Sequence, residues 1–379
     1  LSTMSNDNNI LDEDTYKNEV EKKHFMSVLA SFKYYRKYSL LRVNQTEKYL
    51  NSLTNSHQNM LKNYRQNLKR IRECIEANYK VILHIIRDVD CMFHNVVSNI
   101  SQEHSEFRPT NQDMDKVQST LKQFVRDWSK EGAEERKQCY EPIIKEIENY
   151  FPGENGLLCD IKVLVPGAGL GRLAYELAYR GYSCQGNEFS VFMLFASNFV
   201  LNRCSIAEDY TIYPWLHQNV NNVKRTDQTE PSRFPDVVPI LNSPLPNFSM
   251  VAGDFLEVYK DPDSWHCVAT CFFIDCANNV VEFIETIYNI LMPGGLWVNL
   301  GPLLYHYSDV PFELSIEPSL EDLLDIIQQI GFVIKKVETD VQTKYAQNPR
   351  SMQQSEYKSV FFVCVKPETA TMDNGHSNT

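Results

Sequence analysis

The sequence predicts an α/β protein in which a mostly parallel β-sheet follows an all-helical N-terminal region. Residues 19–150 carry apolar side chains at helical spacing and few strand signals. From residue 161 onward, short apolar runs that favour strands alternate with helical patterns, which is typical of a parallel sheet covered by helices on both faces. The last two predicted strands have no helical pattern between them, so we expect an antiparallel hairpin at the end of the sheet.

The helical region contains three apolar stripes. They comprise Phe25, Val28, Leu29 and Phe32; then Ile71, Ile75, Tyr79, Ile82 and Ile85; and, in a helix beginning near Asp113, Val117, Leu121, Phe124, Val125 and Trp128. The polar ends of the chain, residues 1–18 and 368–379, are predicted to be disordered tails.

The second region, residues 151–367, is predicted to fold around the sheet. The predicted strands are 161–166, 182–186, a region ending near 252, 267–275, 297–300, 333–338 and 360–365, and the predicted helices are 173–179, 191–201, 280–291 and 320–330. Residues 205–249 interrupt the alternation, and six of the 17 prolines lie between Pro214 and Pro246. Such a density excludes regular helix or central strand, so the insertion is either a structural wrapping loop or a substrate lid.

Composition limits the choice of partners. Lys plus Arg is 37 and Asp plus Glu is 49, so the net charge is −12, which disfavours binding to nucleic acid or to an anionic membrane. No stretch approaches the ~20 apolar residues of a membrane span. The ten cysteines include no C-x-x-C pair, which indicates reduced thiols without a metal site, in a protein of the cytoplasm or, as an alternative, also of the nucleus.

A glycine-rich turn follows the first predicted strand, in the segment Val163-Leu-Val-Pro-Gly167-Ala-Gly169-Leu-Gly171-Arg-Leu. Glycines at alternate positions let a backbone turn tightly against a ligand. A dinucleotide site of the G-x-G-x-x-G type fails when it is counted from Gly167, because Arg172 takes the third glycine position, but counted from Gly169 it ends on the tolerated Ala174. The spacing of the glycines also suits the methionyl part of S-adenosylmethionine, so both ligands stay open at this point.

Three further features follow in the order that a class I methyltransferase requires. Glu188 lies 21 residues after Gly167, at the predicted end of the second strand, where a carboxylate can accept hydrogen bonds from both ribose hydroxyls of an adenosine; a carboxylate at a helix N-terminus is the alternative. Asp254 and Phe255 can bind the adenine amino group and stack on the base, and Met292-Pro-Gly-Gly295 forms a turn before the fifth strand. Together these features predict a Rossmann-like class I methyltransferase with a seven-stranded sheet, using S-adenosylmethionine and yielding S-adenosylhomocysteine.

Longer segments resemble the carnosine N-methyltransferase family. They are Phe124-Val-Arg-Asp-Trp-Ser, Val165-Pro-Gly-Ala-Gly-Leu-Gly-Arg-Leu-Ala, Cys184-Gln-Gly-Asn-Glu, Phe192-Met-Leu-Phe, Phe273-Ile-Asp275 and Asn299-Leu-Gly-Pro-Leu-Leu-Tyr-His306. The resemblance spans about residues 20–367 and implies methyl transfer from S-adenosylmethionine to an imidazole nitrogen of carnosine, giving anserine. It also implies that the helical region closes over the cofactor, and it favours a homodimer.

The resemblance also implies site residues. Those that match cofactor-binding positions are Gln123, Arg126, Gly167, Glu188, Asp254, Phe255 and Cys271, and Gly169 of the glycine turn is predicted to join them. Taken alone, Gln123 and Arg126 suit a solvated helix face. Asp275, His306, Tyr345 and Tyr357 match substrate-binding positions, and we expect the first two to be catalytic. One departure concerns Asn278, where we expect a histidine in the family.

A neutral imidazole has a free lone pair that can attack a sulfonium methyl group without prior loss of a proton. We expect Asp275 to bind the N–H of the far ring nitrogen, which leaves the nitrogen next to the side-chain attachment, Nδ1, as the nucleophile. A helix-capping role near Val280 is the alternative for this acid. Two other readings of the whole chain remain: methylation of a histidine within a polypeptide, and a non-catalytic scaffold, which the retained acids oppose.

Overall fold

The computed structural model describes residues 13–89, 107–153, 158–239 and 247–368 of the 379-residue chain. The two predicted tails lie largely outside these ranges, although the first helix already begins at Glu13. The helices are α1 (Glu13–Ser52), α2 (Asn55–Met60), α3 (Lys62–Ile85), α4 (Asn111–Trp128), α5 (Ala133–Cys139), α6 (Glu141–Tyr150), α7 (Arg172–Tyr179), α8 (Val191–Arg203), α9 (Phe255–Val258), α10 (Val280–Ile290) and α11 (Leu320–Ile330). None of the described helices is both long and apolar enough to pass through a bilayer.

The strands confirm the predicted α/β class. They are β1 (Lys162–Pro166), β2 (Ser183–Glu188), β3 (Tyr210–Ile212), β4 (Ser232–Phe234), β5 (Phe248–Ala252), β6 (Trp265–Cys271), β7 (Leu291–Gly301), β8 (Val333–Thr343) and β9 (Tyr357–Val365). Seven of them form one sheet in the order β5-β2-β1-β6-β7-β9-β8. The first five strands of this order, β5, β2, β1, β6 and β7, run parallel. Strand β9 lies between β7 and β8 and is antiparallel to both, which confirms the terminal hairpin.

Three predicted boundaries differ from the structure. Strand β6 ends at Cys271, and residues 274–276 form a 3₁₀ turn, so Asp275 follows the strand instead of closing it. Strand β7 begins at Leu291 and so includes residues 292–295, which the sequence predicted to be a turn before the strand. Within this stretch Gly294 has φ +78°. Strand β8 continues to Thr343, five residues beyond its predicted end at 338, over a stretch that is mostly exposed and carries no alternating apolar signal.

Helices cover both faces of the sheet. On one face α6 and α7 pack against β1, β6 and β7, and on the other α10 and α11 pack against the same strands. In the central strand β1 the first residue, Lys162, is exposed and Val163 to Pro166 are buried, as expected for a parallel strand covered on both faces. The carboxyl ends of β1, β2, β5, β6 and β7 therefore meet at one open edge.

The N-terminal helices do not form a separate core. Helices α1, α3 and α4 share one cluster of buried residues with α8 and with the insertion, in which the ring of Phe25 lies 5.1 Å from that of Phe195 and Phe124 lies 4.4 Å from Phe234. Helix α4 is started by a capping box between Thr110 and Asp113. The insertion contains the antiparallel pair β3–β4, which lies outside the main sheet.

Candidate active site

A cavity of about 470 Å³ lies at the carboxyl edge of the sheet, between the turn after β1, the ends of β2 and β6, helix α4 and the segment after β7. The predicted site residues that line it are Gln123, Arg126, Gly167, Gly169, Glu188, Asp254, Phe255, Cys271, His306 and Tyr345. Asp275 and Tyr357 do not line it. The structure thus brings ten residues from seven separate segments of the chain to one space.

The turn after β1 needs glycine for a steric reason. Gly167 has φ +64°, and a Cβ atom there would lie 2.5 Å from Cδ2 of Phe273. Gly169 has φ +57°, and its N–H donates to Oε2 of Glu188 over 2.8 Å. The backbone can therefore pass close to a ligand while its amide fixes the neighbouring carboxylate.

Both carboxylate oxygens of Glu188 are oriented by backbone amides. Oε2 accepts from Gly169, and Oε1 accepts from the N–H of Ser190 over 2.8 Å. Burial raises the pKa of Glu188, and these amides oppose that shift. Each oxygen keeps a lone pair for a further donor, so the carboxylate is preorganised to bind two hydroxyl groups.

Helix α4 contributes a buried polar cluster, so the solvated-face interpretation of Gln123 and Arg126 is wrong. The two side chains are 4% and 5% exposed. Gln123 donates to Asp127 over 3.1 Å, and Nη1 of Arg126 donates to Oη of Tyr140 over 2.6 Å, which in turn donates to Asp127 over 2.7 Å. Nη2 of Arg126 is buried without a hydrogen-bond partner among the described residues, so it has the capacity to bind an anionic ligand group.

Asp254 caps a short helix and also lines the cavity. Its Oδ1 accepts from the N–H of Leu256 over 2.8 Å and so begins helix α9, while the residue also lines the cavity. Phe255 is buried, and its ring lies 5.4 Å from the rings of both Phe273 and Phe283. These contacts fix the ring at the wall of the cavity.

Asp275 lies just behind the cavity wall and is 1% exposed. Its Oδ2 accepts from the N–H of Leu304 over 2.9 Å, whereas Oδ1 is buried with no partner among the described residues. Burial raises the pKa of Asp275, against the opposing effects of the Leu304 amide and of His306. The helix-capping alternative is wrong, because Asn279 caps α10 by accepting from Val281.

His306 meets Asp275 at this point. A carboxylate oxygen of Asp275, Sγ of Cys276 and a ring nitrogen of His306 all lie within 4.8 Å of one another. The backbone N–H of His306 also donates to the backbone carbonyl of Asp275 over 3.0 Å. The three side-chain groups are also donor types that metal ions bind. His306 is exposed, so the pair joins a buried carboxylate to solvent.

The two tyrosines predicted to bind the substrate differ in their position relative to the cavity. Tyr345 lines the cavity, with its ring 4.6 Å from the guanidinium carbon of Arg126 and 5.1 Å from the ring of Phe272. Tyr357 does not line the cavity, and the centre of its ring lies 5.9 Å from that of Phe272. Asn278 lines the cavity and donates from its side chain to the Leu314 carbonyl over 2.9 Å, so it attaches the segment after β7 to the site.

Comparison with known proteins agrees with this geometry. The family model for carnosine N-methyltransferase matches residues 103–368. The chain belongs to the carnosine N-methyltransferase family. It is therefore an S-adenosylmethionine-dependent methyltransferase.

Relatives from distant organisms are similar to it along most of their length. Carnosine N-methyltransferase unmet from Drosophila melanogaster is 54% identical over 369 residues, which cover 92% of this chain and 81% of the relative. The carnosine N-methyltransferase of Rattus norvegicus is 48% identical over 92% of this chain and 87% of its own. That of Schizosaccharomyces pombe is 41% identical over 91% of this chain and 96% of its own.

Sequence reasoning missed several residues of this methyltransferase site. The ring of Phe272, a residue with φ +54°, lies 5.8 Å from the guanidinium carbon of Arg126 and contacts the rings of both Tyr345 and Tyr357. Its place directly after a buried strand was the available signal. Tyr140 and Asp127 complete the cluster on α4 through contacts 13 residues apart, for which the sequence carries no local pattern.

Proposed function

We propose that this methyltransferase transfers the methyl group of S-adenosylmethionine to Nδ1 of the imidazole in carnosine, giving anserine. The observation that carries the proposal is the buried Asp275 carboxylate, whose Oδ1 has no partner among the described residues and which lies beside His306. A buried acceptor without a donor is costly, and a ring N–H of the acceptor molecule would satisfy it.

The residues of the cavity fit the cofactor. Glu188 offers two oriented carboxylate oxygens for the ribose, and the unpartnered Nη2 of Arg126 suits a carboxylate such as that of the methionyl group. At Gly167 a Cβ atom would collide with the ring of Phe273, so only glycine allows this turn to line the cavity. When bound, the cofactor supplies an electrophilic methyl group.

Asp275 selects the tautomer of the acceptor ring. Its Oδ2 is held by the Leu304 amide, so Oδ1 is the oxygen free to accept from Nε2–H of the imidazole. Because Oδ1 is buried behind the cavity wall, this bond requires the wall to move aside when the acceptor binds. The proton on Nε2 leaves the lone pair on Nδ1, which forms the new N–CH₃ bond. The carboxylate also stabilises the positive charge that the ring gains, as in other orienting acid–imidazole pairs.

The methylated ring must then lose the Nε2 proton. Asp275 binds this proton at Oδ1, and His306, exposed beside it, provides a route for it to solvent. Because the neutral imidazole attacks with its own lone pair, the proposed reaction requires no metal ion as Lewis acid.

Tyr345 is proposed to bind a polar end of the dipeptide, because it lines the cavity between Arg126 and Phe272. Tyr357 is proposed to act indirectly on substrate binding, by positioning Phe272 through their ring contact. From the family resemblance we also infer a homodimer, and from the reduced cysteines a location in the cytoplasm, with the nucleus as an alternative. Light scattering of the purified protein and cell fractionation test these two points.

A labelling experiment tests the acceptor. The purified protein is incubated with methyl-labelled S-adenosylmethionine and either carnosine or a histidine-containing protein extract, and the labelled product is analysed by NMR. We expect rapid labelling of carnosine at Nδ1. Label on Nε2 or on the terminal amine would refute the orientation by Asp275, and preferential labelling of protein would favour a polypeptide acceptor.

A further inference from the structure

The Pro-rich insertion makes a buried charged contact close to the proposed cofactor site. Asp236, in this insertion, has a side chain that is 10% exposed. Its Oδ1 accepts from Nη1 of Arg172 over 2.7 Å, and its Oδ2 accepts from Nη2 of Arg136 over 2.6 Å. One carboxylate thus joins two arginines that stem from α7 and α5.

The same two arginines bind the free carbonyls at the end of α4. The last carbonyls of a helix have no partner within the helix and carry partial negative charge. Arg136 donates to the carbonyls of Arg126 and Ser129, each over 2.8 Å, and Arg172 donates to that of Asp127 over 2.8 Å. The N–H of Asp236 itself donates to the carbonyl of Trp128 over 2.7 Å.

This arrangement sets the position of α4 relative to the glycine turn. Arg172 is the residue that follows Gly171, and the indole N–H of Trp128 donates to the Leu170 carbonyl over 3.1 Å. Gln123 and Arg126, which face the cavity, lie on the same last turns of α4. Any shift of this helix end would move both side chains away from the turn.

Two buried guanidinium groups repel each other unless an anion lies between them. Consistent with this, Arg136 has a lowered pKa, first through burial and then through the charge of Arg172, and Asp236 opposes the shift. Glu176 also pairs with Arg172, over 2.8 Å, but it is more exposed and does not reach Arg136 through any described contact.

We propose that Asp236 is a positioning residue for the cofactor site, which holds Arg136 and Arg172 on the end of α4 and so fixes this helix against the glycine turn. The insertion thereby fixes the end of α4 from outside the cavity, since none of its described residues lines it. The inference rests on the proposed cofactor pocket, and it is independent of which acceptor is methylated.

The test is calorimetric binding of S-adenosylmethionine to Asp236→Asn. We expect an affinity about 3-fold to 30-fold weaker, as is typical when a supporting contact outside the ligand shell is lost. The KM for the cofactor should rise while kcat at saturating cofactor changes by no more than about twofold, a split that general destabilisation would not produce. Asp236→Glu should recover part of the affinity, because it retains the charge.

Glu208→Gln is the matched control. Glu208 lies in the same insertion and pairs with Lys130, but their side chains are 34% and 70% exposed. Loss of such a surface pair should change cofactor affinity by less than about twofold.

A folded Asp236→Asn protein with parental affinity would overturn the inference. If that variant does not fold, Arg172→Lys decides the matter: it keeps the charge but cannot bond Asp127 and Asp236 with the same fork, so unchanged affinity there is equally decisive. A parent protein that fails to bind S-adenosylmethionine would refute the proposed function as well, which separates the two failures.

Discussion

The two ends of the cavity differ in how many of their polar groups already have partners. At the proposed cofactor end, both oxygens of Glu188 are held by backbone amides and Gln123 is bonded to Asp127, while Nη2 of Arg126 has no hydrogen-bond partner among the described residues. At the acceptor end, one oxygen of Asp275 lacks a partner among the described residues, and His306 is exposed. The proposed ribose contact is therefore oriented before binding, whereas Arg126 and Asp275 each keep a bonding position for a ligand.

Asp275→Asn should break the acceptor end with the largest effect. The Leu304 amide would keep the side-chain oxygen as its acceptor, so the new NH₂ group would face the imidazole and favour the wrong tautomer. We expect kcat to fall by about 10²-fold to 10⁴-fold, with cofactor affinity changed by only a few-fold. Single-turnover kinetics and calorimetry measure the two quantities.

Asp309→Asn is the control for that substitution, since it alters an exposed acid on the same segment after β7. Parental turnover is expected. A collapse of cofactor binding in Asp275→Asn would place Asp275 at the other end of the cavity.

Glu188→Gln should break the cofactor end. A glutamine has one acceptor oxygen for the two backbone amides that Glu188 now binds, and it loses the charge that strengthens ribose hydrogen bonds. We expect the Kd for S-adenosylmethionine to rise by about 10-fold to 100-fold. Glu148→Gln, at an exposed pair with Arg180, should bind like the parent, and equal binding by both variants would remove the ribose assignment.

Lowering the pH should affect the acceptor end most. The reaction needs an ionised Asp275, whose pKa is raised by burial, and a neutral acceptor imidazole, whose pKa is about 6.5. Protonation of the imidazole alone should lower kcat/KM by about tenfold per pH unit, and the slope should approach about 100-fold per unit where Asp275 is protonated as well. A profile that stays flat down to pH values of about 5 would contradict the need for a neutral acceptor imidazole.

The smallest expected effect, on the KM for carnosine, tests which of the two tyrosines contacts the acceptor directly. Tyr345→Phe removes a hydroxyl from the cavity but keeps the ring beside Arg126, so the KM for carnosine should rise by about 2-fold to 10-fold. Tyr357→Phe is its matched partner outside the cavity lining and should change the KM less. The reverse order would show that Tyr357 is the direct contact.

Local patterns were enough to predict the fold and those residues of the cavity that follow strands, whereas Gln123, Arg126, Cys271, His306 and Tyr345 were implied by the family resemblance. The glycine turn, Glu188 and Asp254 each follow a strand within a few residues, so strand order alone brought them to one edge. The contacts of Asp236 could not be predicted, because they join residues 64 and 100 positions apart through side chains. The position of Asp275 behind the cavity wall depends on a 3₁₀ turn that its apolar neighbours had suggested to be strand.

The buried tryptophan at the end of α4 has a practical consequence. The Trp128 indole donates to the backbone of the glycine turn, and the Arg172 guanidinium lies 4.8 Å from its ring. The chain has only four tryptophans, and this one is an intrinsic fluorophore in contact with the turn. Its emission should therefore report occupancy of the nucleoside pocket in real time, without a label.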